Sequence, residues 1–278
     1  MLKKRFKKIA LSFVLFVSSI MYAHGDLSIR IHEKTKEISK DTTNSKLYFE
    51  RGFLYQQHEE FNKALSDYLR SEELGNTEKL LKYRKAKIYF TLTDYHSALK
   101  AVDQCIDPPD VKPQKLKAQI LMKLKRHSEA LDLYDLVIKN TLDIRPEDIV
   151  EYSTIFLAMD STNYTGAIKA IDIGLDKLGD HVVTLQLKKT DYLKRSGQVK
   201  KVIEQYNSLI TENTRKEFWY YKKALYLFEL NRLSEANIAL QQTKVTIEQL
   251  SPKLKSTSAL KELQIQVNKL EKNIHHEN

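Results

Sequence analysis

The chain has 278 residues, of which only 7 are glycine and 5 are proline, a composition that disfavours a turn-rich all-β fold and suits long helices. Its formal charge of +10 resembles a nucleic-acid-binding balance, but five of those charges (Lys3, Lys4, Arg5, Lys7, Lys8) crowd the N-terminus without an acid among them. The single cysteine, Cys105, excludes an internal disulfide, so packing alone must hold the fold, with the thiol at a small-residue position inside a helix.

The basic start leads into a mostly apolar run from Ile9 to Ala23 and then the small residues of Ala23-His24-Gly25. That is the three-part layout of a secretory signal. The run falls short of the roughly 20 residues that a spanning helix needs, which favours cleavage over an uncleaved anchor. Cleavage after Gly25 puts Ala23 at the −3 position, where cleavage after Ala23 would put the bulkier Met21. Removing residues 1–25 leaves a net of 10 − 5 = +5, an ordinary excess. The expected address is periplasmic or secreted, with no stable membrane span after processing and with nucleic acid set aside as a ligand.

Beyond the cut, residues 26–44 form a capping helix and linker. Asp26 is the expected N-cap, and Leu27, Ile31 and Ile38 cover the first repeat. Over residues 45–249 one phrase returns six times. It runs Phe61-Asn62-Lys63-Ala64-Leu65 with Tyr68, Tyr95-His96-Ser97-Ala98-Leu99 with Val102, and His127-Ser128-Glu129-Ala130-Leu131 with Tyr134. It continues as Tyr164-Thr165-Gly166-Ala167-Ile168 with Ile171, Val199-Lys200-Lys201-Val202-Ile203 with Tyr206, and Leu233-Ser234-Glu235-Ala236-Asn237 with Leu240. The central residues fall at 64, 98, 130, 167, 202 and 236, in steps of 34, 32, 37, 35 and 34. Self-similarity at such a period is the mark of a stacked repeat architecture, in which no unit buries its apolar face alone.

The period and the phrase resemble the tetratricopeptide repeat (TPR) family, whose unit is two antiparallel helices. The first repeat carries the family's pattern in Tyr48, Gly52, Tyr55, Ala64, Tyr68 and Ser71. The second keeps Ala86, Tyr89, Ala98 and Cys105, the third Ala118, Ala130 and Tyr134, and the sixth Tyr220, Ala224, Leu227, Ala236 and Leu240. The fourth departs at Ile155, where a small residue is expected, and the fifth at Thr190 and Val202. The resemblance implies an all-α, right-handed superhelical solenoid of about six helix pairs with capping helices at both ends.

After Pro252, residues 250–278 supply a last helix and tail, with Leu260, Leu263, Val267, Leu270 and Ile274 on one stripe. Either the stripe docks on the sixth repeat as a cap or it forms a coiled-coil seam with a second copy. Two heptads fall short of the three to four that a coiled coil normally shows, so a cap and a monomer are expected.

The resemblance also implies a concave groove lined by the first helix of each pair. The positions carried over are Phe49, Phe53 and Gln56, then Tyr83, Lys87 and Phe90, then Lys112, Lys115, Gln119 and Lys123. Tyr152, Phe156 and Met159 come next, then Lys194 and Arg195, then Tyr221 and Phe228, with Asp160, Asp191 and Glu229 the acids among them. Of these, Phe49, Phe53, Tyr83, Lys87, Phe90, Lys115, Lys123, Tyr152, Phe156, Lys194 and Tyr221 are the candidate partner-binding residues. Aromatics beside lysines suit an extended peptide with apolar side chains and acidic groups. The competing reading has the aromatics packing between helices and the lysines merely solvated. The lysine-and-asparagine carboxylate clamp of chaperone-binding members is not supported, because Phe49 and Phe53 stand at two of its places.

Catalytic signatures are missing. The chain has no glycine-rich phosphate loop, no His-Glu-x-x-His, no Gly-x-Ser-x-Gly and no Cys-x-x-Cys. The eight histidines are dispersed. Only His24 could bind copper, through its amine and imidazole, and only if cleavage fell before it. The expectation is no catalytic residue, no metal and no cofactor. The function expected is a non-enzymatic scaffold for a protein or peptide partner. An accessory subunit of an exported enzyme complex is the alternative, and a direct enzyme or metal protein with a site built from unrelated positions is the third reading.

Overall fold

The computed structural model describes residues 26–105, 110–141 and 143–277. The signal-like segment, with its cleavage site and His24, lies outside them. Helix α1 covers residues 26–40. It is followed by α2 (Ser45–Gln57), α3 (Phe61–Glu73), α4 (Lys79–Thr91), α5 (Tyr95–Asp103), α6 (Val111–Lys123), α7 (His127–Asn140), α8 (Pro146–Met159) and α9 (Tyr164–Leu178). Next come α10 (Val183–Arg195), α11 (Val199–Glu212), α12 (Lys216–Glu229), α13 (Leu233–Glu248), the short α14 (Pro252–Lys255) and α15 (Ser258–Glu277). Among the described residues there is no strand. The chain divides into two compact units, one ending at Leu142 and the other starting at Asp143. Each holds three of the six helix pairs.

In the first unit the pairs are α2 with α3, α4 with α5 and α6 with α7. The alanine of the repeated phrase is the contact point of each second helix, and Ala64, Ala98 and Ala130 are all fully buried. In the first pair Gly52 on α2 receives the ring of Tyr68 on α3. A Cβ at Gly52 would stand 2.8 Å from that ring. Burial pushes the Tyr68 hydroxyl up to about 12, and the hydroxyl donates to Gln56 Oε1 at 2.8 Å. Helix α1 lies against α2 through Lys34–Glu50 at 2.8 Å and the buried Ile38. Asp26 is itself helical rather than the residue preceding the helix.

In the second unit Ala167, Val202 and Ala236 hold the same positions, all fully buried. The fourth pair solves its packing in reverse. Ile155 is fully buried where a small residue is expected, and glycines on the second helix receive two other side chains of α8 closely. A Cβ at Gly174 would meet Ile149 Cγ2 at 2.4 Å, and one at Gly166 would meet the Phe156 ring at 2.5 Å. The bulk sits on α8 and the gap on α9, so the pair still closes.

At the C-terminal end, Leu260, Leu263, Val267, Leu270 and Ile274 are buried in one cluster with Ala236, Ala239, Leu240 and Ile247 of α13. The stripe is therefore covered within the chain and offers no seam to a second copy. Lys244 and Glu271 bridge α13 and α15 at 2.5 Å, and the lysine's hydrogen bond holds the Glu271 carboxyl below its ordinary value.

Five of the six turns inside the pairs share one backbone device. Glu59, Thr93, Lys125 and Asn231 take φ of 61°, 63°, 59° and 56°, and Gly197 takes 70°. These left-handed residues let the second helix start within three or four residues of the first. The fourth turn uses side chains instead, with Asp160 Oδ1 accepting from Thr162 N at 2.8 Å and Asn163 capping Gly166 N at 2.9 Å. Thr93 is the β-branched residue in the set and carries a steric cost of about 1–2 kcal/mol for that conformation. Thr93→Gly is expected to raise the melting temperature by about 2–4 °C, the net of relieved strain and the larger entropy of an unfolded glycine. Calorimetry checks it, and a fall in melting temperature would show the turn to be unstrained.

Candidate partner-binding site

In the first unit the first-helix face brings α2 and α4 together around a residue outside the expected set, Arg84. Its guanidinium carbon stands 3.9 Å from the Phe53 ring centroid and 5.9 Å from that of Phe49. Nη1 donates to Gln56 Oε1 at 3.4 Å, while Nε is buried without a hydrogen-bond partner. Phe49 also leans on Tyr68, with ring centroids 5.8 Å apart. A cleft of about 330 Å³ opens between α1 and α2 beside the same two phenylalanines, lined by Arg30, Glu33, Lys34, Glu37 and Glu50. Its mixed charges give it no preference of sign.

Farther along, Tyr83 and Phe90 are half-buried against the cluster of Ala86, Ala98 and Val102. Burial, with Asp110 nearby, pushes the Tyr83 hydroxyl up. Lys87, Lys112 and Lys123 are exposed, whereas Lys115 and Gln119 are half-buried. Helices α4 and α6 together carry nine lysines and arginines and no acid. Of these cations, Lys85 is paired with Glu72 and Lys117 with Asp103. A face of this sign raises the local concentration of anionic partners.

The second unit is different in kind. Tyr152 is only 5% exposed and stacks edge-on against Phe156 at 5.4 Å, so it is a packing residue and not part of an open surface. Phe156 is half-buried over Gly166. Lys194 does not project freely. It sits 4.5 Å from the Tyr226 ring centroid and 5.6 Å from that of Tyr206, and burial lowers its pKa against the opposing pull of Glu229. Tyr221 and Phe228 are half-buried against the C-terminal cluster, and burial raises the Tyr221 hydroxyl. Two apolar residues of this unit are also exposed, Met159 at 49% and Leu187 at 38%. Arg195 is exposed and lies over the Tyr164 ring at 5.4 Å.

The chain aligns in three dimensions with a tetratricopeptide repeat protein from Parabacteroides merdae ATCC 43184, with a TM-score of 0.55 and 13% identity over 87% of this chain and 93% of that one. The chain has the tetratricopeptide repeat fold. The C-terminal part of a TPR repeat-containing protein from Cytophaga hutchinsonii gives a TM-score of 0.56 at 12% identity, over 81% and 93% of the two chains. A chain from the Naa15/Naa10 complex bound to HypK-THB gives 0.51 at 14% identity, covering 88% of this chain and 37% of that one. Identities this low speak for the fold alone. The sequence matches no protein-family model and no curated protein.

Within the TPR fold, the candidates brought into one cluster are Phe49 and Phe53, joined by Arg84. Tyr152 and Phe156 form a separate contact pair. Arg84 escapes the positional rule, whereas Leu187 obeys it, standing 15 residues before Val202 as Phe49 stands before Ala64, and was simply left out of the candidates. Arg84 stands one residue after Tyr83 and faces back across α2, a direction that spacing along α4 alone does not reveal. Among the described residues no three metal-ligating side chains come together, and no helix is long and apolar enough to cross a membrane.

Proposed function

We propose that this chain is a non-catalytic scaffold, exported to the periplasm or beyond, that acts as a monomer and holds a segment of a partner protein on its first-helix faces. The observation that carries the reading is the first-unit face, where Phe49 and Phe53 are half-buried and α4 and α6 present cations without a single acid. Aromatic area at low entropic cost gives affinity, and the one-signed charge gives orientation and on-rate. Export is supported by the basic start, the apolar run and Ala23-His24-Gly25.

The test is light crosslinking in the native envelope, with copurifying proteins identified by mass spectrometry. One dominant partner is expected, lost when Phe53→Ala is combined with Lys123→Glu. Loss of residues 1–25 from the protein recovered outside the cytoplasm is expected alongside. A chain that captures nothing, or captures equally well with both residues changed, overturns the scaffold reading.

The likeness to a chain from the Naa15/Naa10 complex bound to HypK-THB is compatible with a second reading, in which this chain is a subunit of a larger assembly, an accessory subunit of an exported enzyme complex. It is distinguished by the partner's being an enzyme whose activity falls when this chain is removed.

A further inference from the structure

Arginines in this protein are mostly neutralised. Arg51, Arg70, Arg126, Arg195, Arg215 and Arg232 each lie within salt-bridge distance of an acid of the same chain. Arg84 is half-buried, yet among the described residues no carboxylate pairs with it. Its guanidinium carbon lies over the Phe53 ring, 3.9 Å from the centroid. Its partners are neutral: Gln56 Oε1, which also accepts from Tyr68, takes one N–H at 3.4 Å, and the Tyr68 hydroxyl oxygen is within hydrogen-bonding reach of the guanidinium. The buried Nε has no acceptor at all. A half-buried cation without a carboxylate has room for one, and the fork of a guanidinium fits a carboxylate with two parallel hydrogen bonds.

The surroundings specify more than charge. Leu80, Arg84 and Lys87 stand at i, i+4 and i+7 on one side of α4. Leu80 is 48% exposed, and Lys87 is exposed without an ion pair among the described residues. An apolar contact, a carboxylate reader and a flanking cation therefore succeed one another along a single helix.

We propose that Arg84 is the specificity-determining residue of the first unit, reading a glutamate or aspartate side chain in an extended acidic peptide whose neighbouring aliphatic residue rests on Leu80. The assignment rests on the scaffold reading and narrows its partner to a segment that alternates acidic and aliphatic residues. Phe53 acts here as the platform that fixes the guanidinium plane, and Lys87 and Lys123 supply non-specific attraction.

The probe is a fluorescein-labelled peptide of alternating leucine and glutamate, blocked at both ends so that only side-chain carboxylates are present. Its binding to the full chain is followed by fluorescence anisotropy beside the leucine–glutamine counterpart. The glutamate peptide is expected to bind at least about tenfold tighter, the range of a charge-assisted pair. Arg84→Gln and Arg84→Lys are both expected to erase that preference, since lysine keeps the charge and loses the fork. Phe53→Leu keeps an apolar contact while removing the aromatic face. It is expected to reduce the preference severalfold, and it serves as the second variant should Arg84 substitutions disturb folding as judged by circular dichroism.

Equal affinity for the two peptides overturns the assignment, as does retention of the preference in Arg84→Lys. Pyrophosphate binding as tightly as the glutamate peptide marks a phosphate site and also overturns it. An envelope partner captured equally well by Arg84→Gln refutes the role of Arg84 and leaves the scaffold standing. Failure of both peptides and of all envelope capture removes both.

Discussion

Gly174→Val is expected to lower the melting temperature by roughly 6–12 °C, corresponding to a loss of about 3 kcal/mol from overpacking. A Cβ at this position would lie 2.4 Å from Ile149 Cγ2 and 2.8 Å from its Cγ1, well inside van der Waals contact. Ile149 is fully buried, and a β-branched side chain in a helix has essentially one rotamer, so it cannot swing aside. Gly174→Ala meets the same obstacle and gains about 1 kcal/mol of helix propensity, so a smaller net loss is expected. Ile149→Ala alone should cost about 2–4 kcal/mol as a cavity. The double variant, Ile149→Ala with Gly174→Ala, should cost less than the sum of the two by at least about 1 kcal/mol, because the new methyl occupies the vacated space. Denaturant titration of the four proteins closes the cycle. Additive effects would show that the two residues do not set the distance between α8 and α9.

That contact also explains which parts of the architecture the sequence announces and which it hides. The six pairs are legible because an alanine or its substitute must recur wherever two helix backbones touch, and Ala64, Ala98, Ala130, Ala167 and Ala236 mark those points directly. The fourth pair obeys the same requirement with its roles exchanged. Ile155 stands buried at a position expected to be small, while the close approaches of this pair fall at glycines of the second helix, Gly166 against Phe156 and Gly174 against Ile149. Tyr152 goes into the core, packed edge-on against Phe156, although its spacing matches positions that are half-buried in other repeats, such as Phe49, Tyr83 and Tyr221. The site is less legible than the fold for a related reason. A position rule gives the side of a helix but not what stands opposite. Lys194 has the spacing of a groove cation, and its surroundings are decided by Tyr206 and Tyr226 from two other helices. Arg84 lies just off the rule, and its meaning comes from Phe53 on α2 and from an acid that no neighbour provides.

Asp67→Ala is expected to cost about 3 kcal/mol, the usual penalty for stranding one half of a buried ion pair, and to lower the melting temperature by about 6–12 °C. Arg51 reaches Asp67 with two parallel hydrogen bonds, Nε to Oδ2 at 2.8 Å and Nη2 to Oδ1 at 2.7 Å. The two side chains are only 16% and 7% exposed. The same guanidinium donates to Thr35 of α1 at 3.1 Å and lies 5.7 Å from the ring centroids of Tyr48 and Tyr55. One charge therefore joins α1, α2 and α3. Asp67→Asn keeps one acceptor and is expected to lose less. Arg51→Met with Asp67→Leu removes both charges and should recover most of the stability lost by Asp67→Ala, because no charge is then left buried without a partner. The loss should persist in high salt, which screens exposed pairs far more than buried ones. Asp67→Ala melting like the parent would place the pair in water. The functional consequence comes from helix geometry. Arg51 is two residues from both Phe49 and Phe53, about 200° around α2, so it anchors the side opposite the one that carries the phenylalanines. If Asp67→Ala weakens peptide binding well below its melting temperature, this anchor sets the angle at which Phe53 meets Arg84. If binding is unchanged there, the seat of the Tyr68 ring on Gly52 is enough to hold α2 in place.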